Sequence, residues 1–226
     1  MQLTYYGHSC FLLQVGGSSV LFDPFIRHNP LAQQVNVEAI PADFILLSHG
    51  HGDHVADVEE IGKRTGAQLV GMVEVLAWFE QKGLNAPYAF NLGGTVQLPF
   101  GSVKMVAAAH SSSMPDGSYG GVAAGFVIEA EGKTIYFAGD TALTYDMKLI
   151  GERHRLDAAL LPIGGHFTMG IDDALVAADW TDARRIIGMH FDSFPPIAID
   201  HAEAQAKAQA AGKELVLLKI GETITL

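Results

Sequence analysis

The stretch Phe44-Ile45-Leu46-Leu47-Ser48-His49-Gly50-His51-Gly52-Asp53-His54 decides how this chain folds, because an apolar run ends in it and three histidines and an aspartate follow. The run 44–47 is short and apolar, and Pro41 precedes it, which predicts a buried strand. The residues 54–66 alternate polar and apolar at helical spacing. We therefore predict a tight turn between a buried strand and a helix, a place where rigid scaffolds put chemistry.

The turn carries four side chains with the donor atoms that zinc and related metal ions bind, namely His49, His51, Asp53 and His54. The i, i+2 spacing lets His49 and His51 point the same way from an extended turn. Four ligands from one turn are too many for one ion that must stay open to a substrate, so the turn indicates two ions. The glycines between the ligands suit a backbone that folds tightly around an ion.

Composition and charge narrow the class of protein. The 226 residues are 49% hydrophobic, carry a net charge of −11 and include one cysteine, Cys10, which excludes an internal disulfide and a cysteine metal cluster. No apolar stretch reaches the length of a membrane span, and the N-terminus lacks the features of a signal peptide, so we expect a cytoplasmic protein. Because there is no Lys/Arg run, we expect a small-molecule substrate and neither nucleic acid nor a membrane as partner.

Strand and helix patterns alternate along the chain. We predict strands over 2–6, 10–15, 19–23, 68–71, 95–98, 102–109, 122–129, 133–138, 157–161, 185–189, 214–218 and 222–225, and helices over 73–82, 144–152, 171–180 and 200–211. The irregular segments 25–42 and 111–121 have the composition of lid or binding loops. Since there is no linker or composition break, we predict one α/β domain, 1–226, of layered type, with strands inside and helices outside.

Further polar residues stand at the ends of predicted strands, namely His110, Asp140 and His190. In a layered sheet protein such ends gather along one edge. We therefore predict that His110 and His190 join the 49–54 cluster as metal ligands, and that Asp140 bridges two ions with its two oxygens. The alternatives are a hydrogen-bonded strand terminus for His110 and a helix N-cap for Asp140.

The pattern H-x-H-x-D-H, then a lone His, an Asp after a strand and a last His, resembles the metallo-β-lactamase superfamily over residues 8–190. More narrowly, Gly7-His8-Ser9, Asp23-Pro24 and Gly164-Gly165-His166-Phe167-Thr168-Met169-Gly170 resemble a branch of uncharacterised metal-dependent hydrolases related to the L-ascorbate-6-phosphate lactonases. The resemblance implies a four-layer αββα sandwich with a two-metal site at one edge. It also implies that one ion is bound by His49, His51 and His110, the other by Asp53, His54 and His190, and that Asp140 bridges both.

The chain departs from better-known branches in informative ways. The β-lactamases themselves use a cysteine in the second metal site and lack a histidine at the position of His54, so penicillin-type hydrolysis is not expected. Diiron flavoproteins have glutamate where this chain has His51. The tRNA-processing members carry an RNA-gripping arm, and this acidic chain has none.

The resemblance implies a binuclear metal-dependent hydrolase in which a hydroxide shared by two divalent ions attacks a small ester, lactone or phosphodiester. Zinc is the default for an all-nitrogen-and-oxygen ligand set, and manganese, iron, nickel and cobalt are compatible. Asp53 would hold the hydroxide by a hydrogen bond as well as bind metal. The alternatives are a mononuclear iron enzyme that consumes oxygen, like the persulfide dioxygenases of the superfamily, and a non-catalytic metal-sensing or structural protein.

Three residues have expected roles around the ligands. Asp23 would accept the second N–H of a ligating histidine, or else form a turn before Pro24. His8 would line the site, or else stabilise a turn. His166 would bind substrate or protonate the leaving group. Members of the branch often self-associate, which leaves a homo-oligomer as one option.

Overall fold

The first of two seven-stranded sheets is formed mainly by the N-terminal half of the chain. In the computed structural model, which describes residues 1–226, it consists of β1 (Gln2–Gly7), β2 (Cys10–Val15), β3 (Ser18–Phe22), β4 (Phe44–Leu47), β5 (Gln68–Met72), β6 (Asn85–Phe90) and β14 (Thr223–Thr225). The strand order is β14-β1-β2-β3-β4-β5-β6. The pairs from β14 to β3 are antiparallel, and the pairs from β3 to β6 are parallel.

The second sheet repeats this arrangement. It consists of β7 (Thr95–Leu98), β8 (Gly101–Ala107), β9 (Ala124–Ala130), β10 (Lys133–Phe137), β11 (Ala158–Pro162), β12 (Arg185–Met189) and β13 (Glu214–Val216), in the order β13-β12-β11-β10-β9-β8-β7. The pairs from β7 to β10 are antiparallel, and the pairs from β10 to β13 are parallel. Each sheet therefore has three antiparallel and three parallel pairings.

Helices cover the outer faces of the sheets. They are α1 (Gly52–Val55), α2 (Val58–Thr65), α3 (Val73–Glu80), α4 (Asp146–Arg153), α5 (Ile171–Trp180) and α6 (His201–Ala210), with short 3-10 turns at Val37–Ala39 and Pro195–Ile197. Helix α3 packs on β5 and β6, α5 on β11 and α6 on β13. The predicted four-layer αββα sandwich is confirmed. None of the six helices has the length and apolar character that crossing a membrane requires.

The inner faces of the sheets meet in one cluster of 64 buried apolar residues. Phe22 at the end of β3 and Phe137 at the end of β10 are fully buried, and their ring centroids are 4.9 Å apart. Burying a phenyl ring contributes about 1.5–3 kcal/mol. Because Asp23 follows one ring directly and Asp140 comes three residues after the other, this contact helps to set the separation of the two strand ends that carry them.

Strand direction brings the predicted site residues together. In the first sheet β1, β3 and β4 run the same way, and in the second sheet so do β8, β10, β11 and β12. The carboxyl ends of these strands are followed by His8, Asp23, the 49–54 turn, His110, Asp140, the 164–170 loop and His190. The edge predicted from sequence therefore exists, and both sheets contribute to it.

The structure differs from the prediction at one helix and one strand. The helix expected over 54–66 is split into α1 and α2, because the Asp57 amide donates to the Pro24 carbonyl, outside the helix. Strand β6 was not predicted, because Pro87 lies within it. It is an edge strand, where the missing N–H of proline is tolerated.

The segment 25–42, predicted to be a lid or binding loop, is packed against the domain. Ile26, Asn29 and Ala32 are buried. The Asp57 carboxylate accepts hydrogen bonds from the amides of Ile26 and Arg27, at 2.5 and 3.2 Å. The Arg27 side chain forms ion pairs with Glu60 and Glu38. Main-chain hydrogen bonds and side-chain ion pairs therefore both hold this segment in place.

We predict that Asp57→Ala lowers the free energy of unfolding by about 1–3 kcal/mol, because it leaves the buried Ile26 amide without an acceptor. Equilibrium unfolding in urea measures the change. Glu152→Ala is the matched control, because Glu152 is exposed, and it should change stability by less than about 0.5 kcal/mol. Equal effects of the two substitutions would contradict the anchoring role of Asp57.

Candidate metal centre

Asp140 lies at the centre of the predicted ligands. Its Oδ2 atom is 2.9 Å from His190 Nε2, 3.3 Å from His54 Nε2 and 3.6 Å from His110 Nε2. His54 comes from the first sheet, and the other three residues come from the second. The carboxylate that follows β10 therefore lies close to histidines that follow β4, β8 and β12.

The donor atoms of the predicted ligands form two groups. In each group the ligand atoms lie within 4.8 Å of one another: one group is His49, His51 and His110, and the other is His8, Asp53, His54 and His190. A third group of this kind, Asp23, His49 and His54, shares a histidine with each of them and is fully buried. In the first group His49 Nε2 and His51 Nδ1 are 3.0 Å apart. The structure thus brings together all seven predicted ligands, and it adds His8 to the second group.

The tautomer of His49 follows from the buried Asp23 carboxylate behind it. Asp23 only accepts hydrogen bonds, so the Ser48 hydroxyl donates its single proton to Asp23 Oδ2, at 2.5 Å. Ser48 Oγ must then accept from His49 Nδ1–H, at 2.9 Å. His49 therefore carries its lone pair on Nε2, the nitrogen that faces the other ligands.

His54 is oriented by the same carboxylate. Its Nδ1–H donates to Asp23 Oδ2 at 2.8 Å, which leaves a lone pair on Nε2 of the neutral ring. This Nε2 is buried without a hydrogen-bond partner, as is Asp140 Oδ1. A buried lone pair that faces a carboxylate is unfavourable unless a proton or a cation lies between them. The residues at this edge therefore fit a bound metal ion.

The electrostatics of the centre agree with this reading. Burial, together with the charge of His54, holds the pKa of His49 well below its ordinary value, so its ring is neutral. Burial also lowers the pKa of His54, but the Asp140 and Asp23 carboxylates outweigh it and raise that pKa well above its ordinary value. Burial raises the pKa of Asp140, yet His54 and His190 bring it well below its ordinary value. The centre attracts positive charge.

His8 lies behind Asp53 and is fully buried. Its Nε2–H donates to Asp53 Oδ2 at 3.2 Å, and its Nδ1 accepts from the Ser193 hydroxyl at 3.0 Å. Burial lowers the pKa of His8 to about 4, which keeps the ring neutral at pH 7. The His190 amide donates to the His8 carbonyl at 2.9 Å, and both residues have left-handed backbones, with φ of 57° and 54°. His8 therefore contacts a ligand and has no access to the cleft.

Above the ligands opens a cleft of about 300 Å³. Its lining consists of His51, Asp53, His110, Ser111, Asp140, Phe167 and His190. His166 is exposed and is not part of this lining, and its ring centroid lies 4.5 Å from that of Phe167. The predicted role of His166 in substrate binding or proton transfer stays a prediction.

Sequence reasoning did not identify four residues of the centre: Ser48, Ser193, Ser111 and Phe167. Ser48 stands between an apolar strand and the first ligand, a position that could have drawn attention. Ser193 and Ser111 have no such signal. Phe167 is an aromatic residue inside a glycine-rich loop, where it cannot pack in the core. That position could have identified it as a residue of the site.

The two glycines of the ligand turn have different surroundings. A Cβ on Gly50 would lie 2.5 Å from Met114 Sδ and 2.9 Å from the Ser113 carbonyl oxygen. Gly52 has nothing within 4 Å of the corresponding position. Glycine at position 50 is therefore required by the close approach of the 111–114 backbone, whereas glycine at position 52 is not.

Comparison with known proteins places this geometry in a family. The model of the beta-lactamase superfamily domain matches residues 2–190. A UPF0173 metal-dependent hydrolase from Flavobacterium johnsoniae is 51% identical over 226 residues, which cover 100% of both chains. The structure of Igni18, a metallo hydrolase from the archaeon Ignicoccus hospitalis, has 37% identity and a TM-score of 0.89, with coverage of 99% and 97%. The metallo-beta-lactamase fold protein YhfI from Bacillus subtilis has 17% identity and a TM-score of 0.77, with coverage of 99% and 98%, a likeness of fold.

We predict that Gly50→Ala lowers the free energy of unfolding by about 1–3 kcal/mol, because the new methyl group overlaps Met114 and the Ser113 carbonyl. Gly52→Ala, two residues further along the same turn, is the control. It should be neutral or raise stability by up to about 1 kcal/mol, since alanine favours the helix that begins there. Thermal and urea unfolding of both variants provide the measurement. A destabilised Gly52→Ala with an unaffected Gly50→Ala would contradict the packing described above.

Proposed function

The chain belongs to the beta-lactamase superfamily, and we propose that it uses two divalent metal ions, bound where its two sheets meet, to hydrolyse a small ester, lactone or phosphodiester. It is a metal-dependent hydrolase of this superfamily, as its relatives are named. The observation that carries the binuclear proposal is the position of Asp140, whose carboxylate contacts histidines of both donor groups.

We assign one ligand set to each ion, following the two donor groups. His49, His51 and His110 would hold one, and Asp53, His54 and His190 would hold the other, with Asp140 between them. All seven offer nitrogen or oxygen, so zinc is the default, and manganese, iron, nickel and cobalt are compatible. When bound, the ions supply Lewis acidity and lower the pKa of a water molecule towards about 7.

Asp53 is the residue we assign to the reacting water. Its side chain is 31% exposed and lines the cleft. Burial raises its pKa, but the hydrogen bond from His8 and the charge of His54 outweigh burial and bring the pKa below its ordinary value. Because it stays ionised and His8 occupies Oδ2, Asp53 would orient the water through its other oxygen. His8, held by Ser193, is a positioning residue for this carboxylate.

The alternative is a mononuclear iron enzyme that consumes oxygen on the same ligand set. What favours two ions is that each donor group contains three of the predicted ligands by itself. An enzyme with one ion would need one such group. Metal analysis separates the two functions, because one iron per chain with oxygen uptake would support the alternative.

We predict that the purified protein holds close to two zinc or manganese ions per chain, and that Asp140→Ala loses one or both, since Asp140 contacts both donor groups. Plasma emission spectroscopy counts the ions. Hydrolysis of p-nitrophenyl acetate, a γ-lactone and bis(p-nitrophenyl) phosphate should fall by more than about 100-fold on whichever substrate is active.

The matched control for this experiment is Asp172→Ala. Asp172 is 75% exposed and pairs with Lys207 on the outer surface. Its replacement should leave both metal content and rate unchanged. If Asp140→Ala kept two ions and the full rate, the bridging assignment would be wrong.

We predict that His8→Phe, which keeps an aromatic ring but removes the N–H to Asp53, lowers kcat by about 10–100-fold and weakens the binding of one ion. His8→Gln, which keeps an N–H donor, should restore part of both. Metal titration and the visible spectrum of the cobalt-substituted protein report the site independently of turnover. His154→Phe, away from the centre, is the control. A spectrum unchanged in His8→Phe would overturn the positioning role.

A further inference from the structure

We infer that the substrate is an uncharged ester or lactone with an apolar aryl or alkyl group, and that phosphorylated and other strongly anionic molecules are poor substrates. This inference depends on the proposed hydrolase function and narrows its substrate class. The inference concerns the part of the substrate that is remote from the reacting bond. The bound ions would interact with the reacting atoms of any substrate.

Only two side chains of the cleft are free to contact that part of the substrate. Five of the seven lining residues are predicted metal ligands, and the others are Ser111 and Phe167. Ser111 is exposed, and its hydroxyl lies 3.4 Å from His51 Nε2. The Phe167 side chain is 53% exposed. The cleft thus offers one hydroxyl and one phenyl ring to a substrate.

The Phe167 ring is presented by a loop that is closed on itself. Gly164 and Gly170 form a bridge, and the Gly165 amide donates to the Met169 carbonyl at 3.0 Å. The Met169 amide in turn donates to the carbonyl of Thr141, the neighbour of Asp140, at 3.0 Å. The loop is therefore tied to the strand end that carries Asp140, which fixes the backbone that presents the ring beside the candidate metal centre.

The exposed ring in the cleft is that of Phe167. The protein exposes nine large hydrophobic side chains, and Phe167 is the one that lines the cleft. A concave polar centre beside an exposed phenyl ring suits a ligand whose remote part is apolar.

The cationic side chains lie elsewhere. None of the 14 Lys and Arg residues lines the cleft, and the segments 111–122, 141–145, 164–170 and 190–200 contain none. Arg27, which follows Asp23 in the chain, is paired with Glu60 and Glu38. The Lys148 ammonium lies 4.5 Å from the Tyr145 ring centroid and 5.1 Å from that of Trp180. A remote phosphate or carboxylate would find no arginine or lysine of the kind that usually binds it.

A helix N-terminus could also bind an anion, and α5 begins beside the Phe167 loop. Its first turn, however, already contains two carboxylates, Asp172 and Asp173. These carboxylates complement the helix dipole and would repel an incoming anion. The lining carboxylates Asp53 and Asp140 add negative charge on the other side of the cleft.

The test compares substrates with one leaving group: the butyrate and succinate esters differ in the remote part, and the phosphodiester differs in the reacting group. The metal-loaded protein is assayed with p-nitrophenyl butyrate, the p-nitrophenyl half-ester of succinate and bis(p-nitrophenyl) phosphate, spontaneous hydrolysis is subtracted, and the kcat/KM values are compared directly. We expect butyrate to exceed the succinate half-ester and the phosphodiester by at least about 10-fold. Preference for either anionic substrate would overturn the inference and leave the hydrolase function standing. Metal-dependent turnover of none of the three would overturn both.

The contribution of Phe167 is measured with variants. Phe167→Ala should raise KM for butyrate by about 10-fold with little change in kcat, the behaviour of a contact made equally in the ground state and the transition state. It should alter the acetate ester much less, and Phe167→Leu should restore part of the loss. Val176→Ala, an exposed apolar residue on α5, is the control. Equal effects on butyrate and acetate would contradict the inference.

Discussion

The buried carboxylate of Asp23 is the constraint on which the rest of the centre depends. It is fully buried directly after β3, with a left-handed backbone (φ 39°), and it accepts from the Ser48 amide, the Ser48 hydroxyl and His54. Removing a carboxylate from water costs several kcal/mol unless its hydrogen bonds are replaced. Here the replacing donors orient one ligand of each donor group, His49 through Ser48 and His54 directly. One residue of the first sheet thus sets the tautomers on both sides of the centre.

The other half of the centre depends on how the two sheets pack. Asp140 follows β10 and His54 follows β4, which belong to different sheets. The 3.3 Å distance between Asp140 Oδ2 and His54 Nε2 therefore depends on how the two sheets pack on each other. The Phe22–Phe137 contact lies just before Asp23 and Asp140 in the chain and joins the same two sheets. The apolar core holds the two sheets together in the middle. Bound ions would hold them together at one edge as well. Folding and metal binding are coupled when the ligands come from separate elements.

Most of the fold and the ligand set could be predicted because their signals are local. Apolar runs mark the strands, and the polar residue after each run marks its carboxyl end. Strand direction within each sheet and the packing of the two sheets then gather His49, His110 and His190. The residues that orient the predicted ligands from behind, such as Ser193, have no local sequence signal. Ser193 is 185 positions from His8, and their contact is decided by tertiary packing. Strand β6 was missed because its proline is acceptable only at a sheet edge, a property of the assembled sheet.

Loop orientation is the other property that sequence pattern does not contain. His166 and Phe167 are adjacent, and histidine is the more obvious residue for chemistry, yet the cleft is lined by the phenyl ring. Gly165, with φ of 80°, and the hydrogen bonds of the 164–170 loop decide which neighbour faces the cleft. The cleft therefore has two kinds of lining: carboxylates and imidazoles that attract cations, and an exposed phenyl ring, with no lysine or arginine among the lining residues. A substrate that suits both would have one electrophilic carbonyl group to be attacked and an apolar remainder.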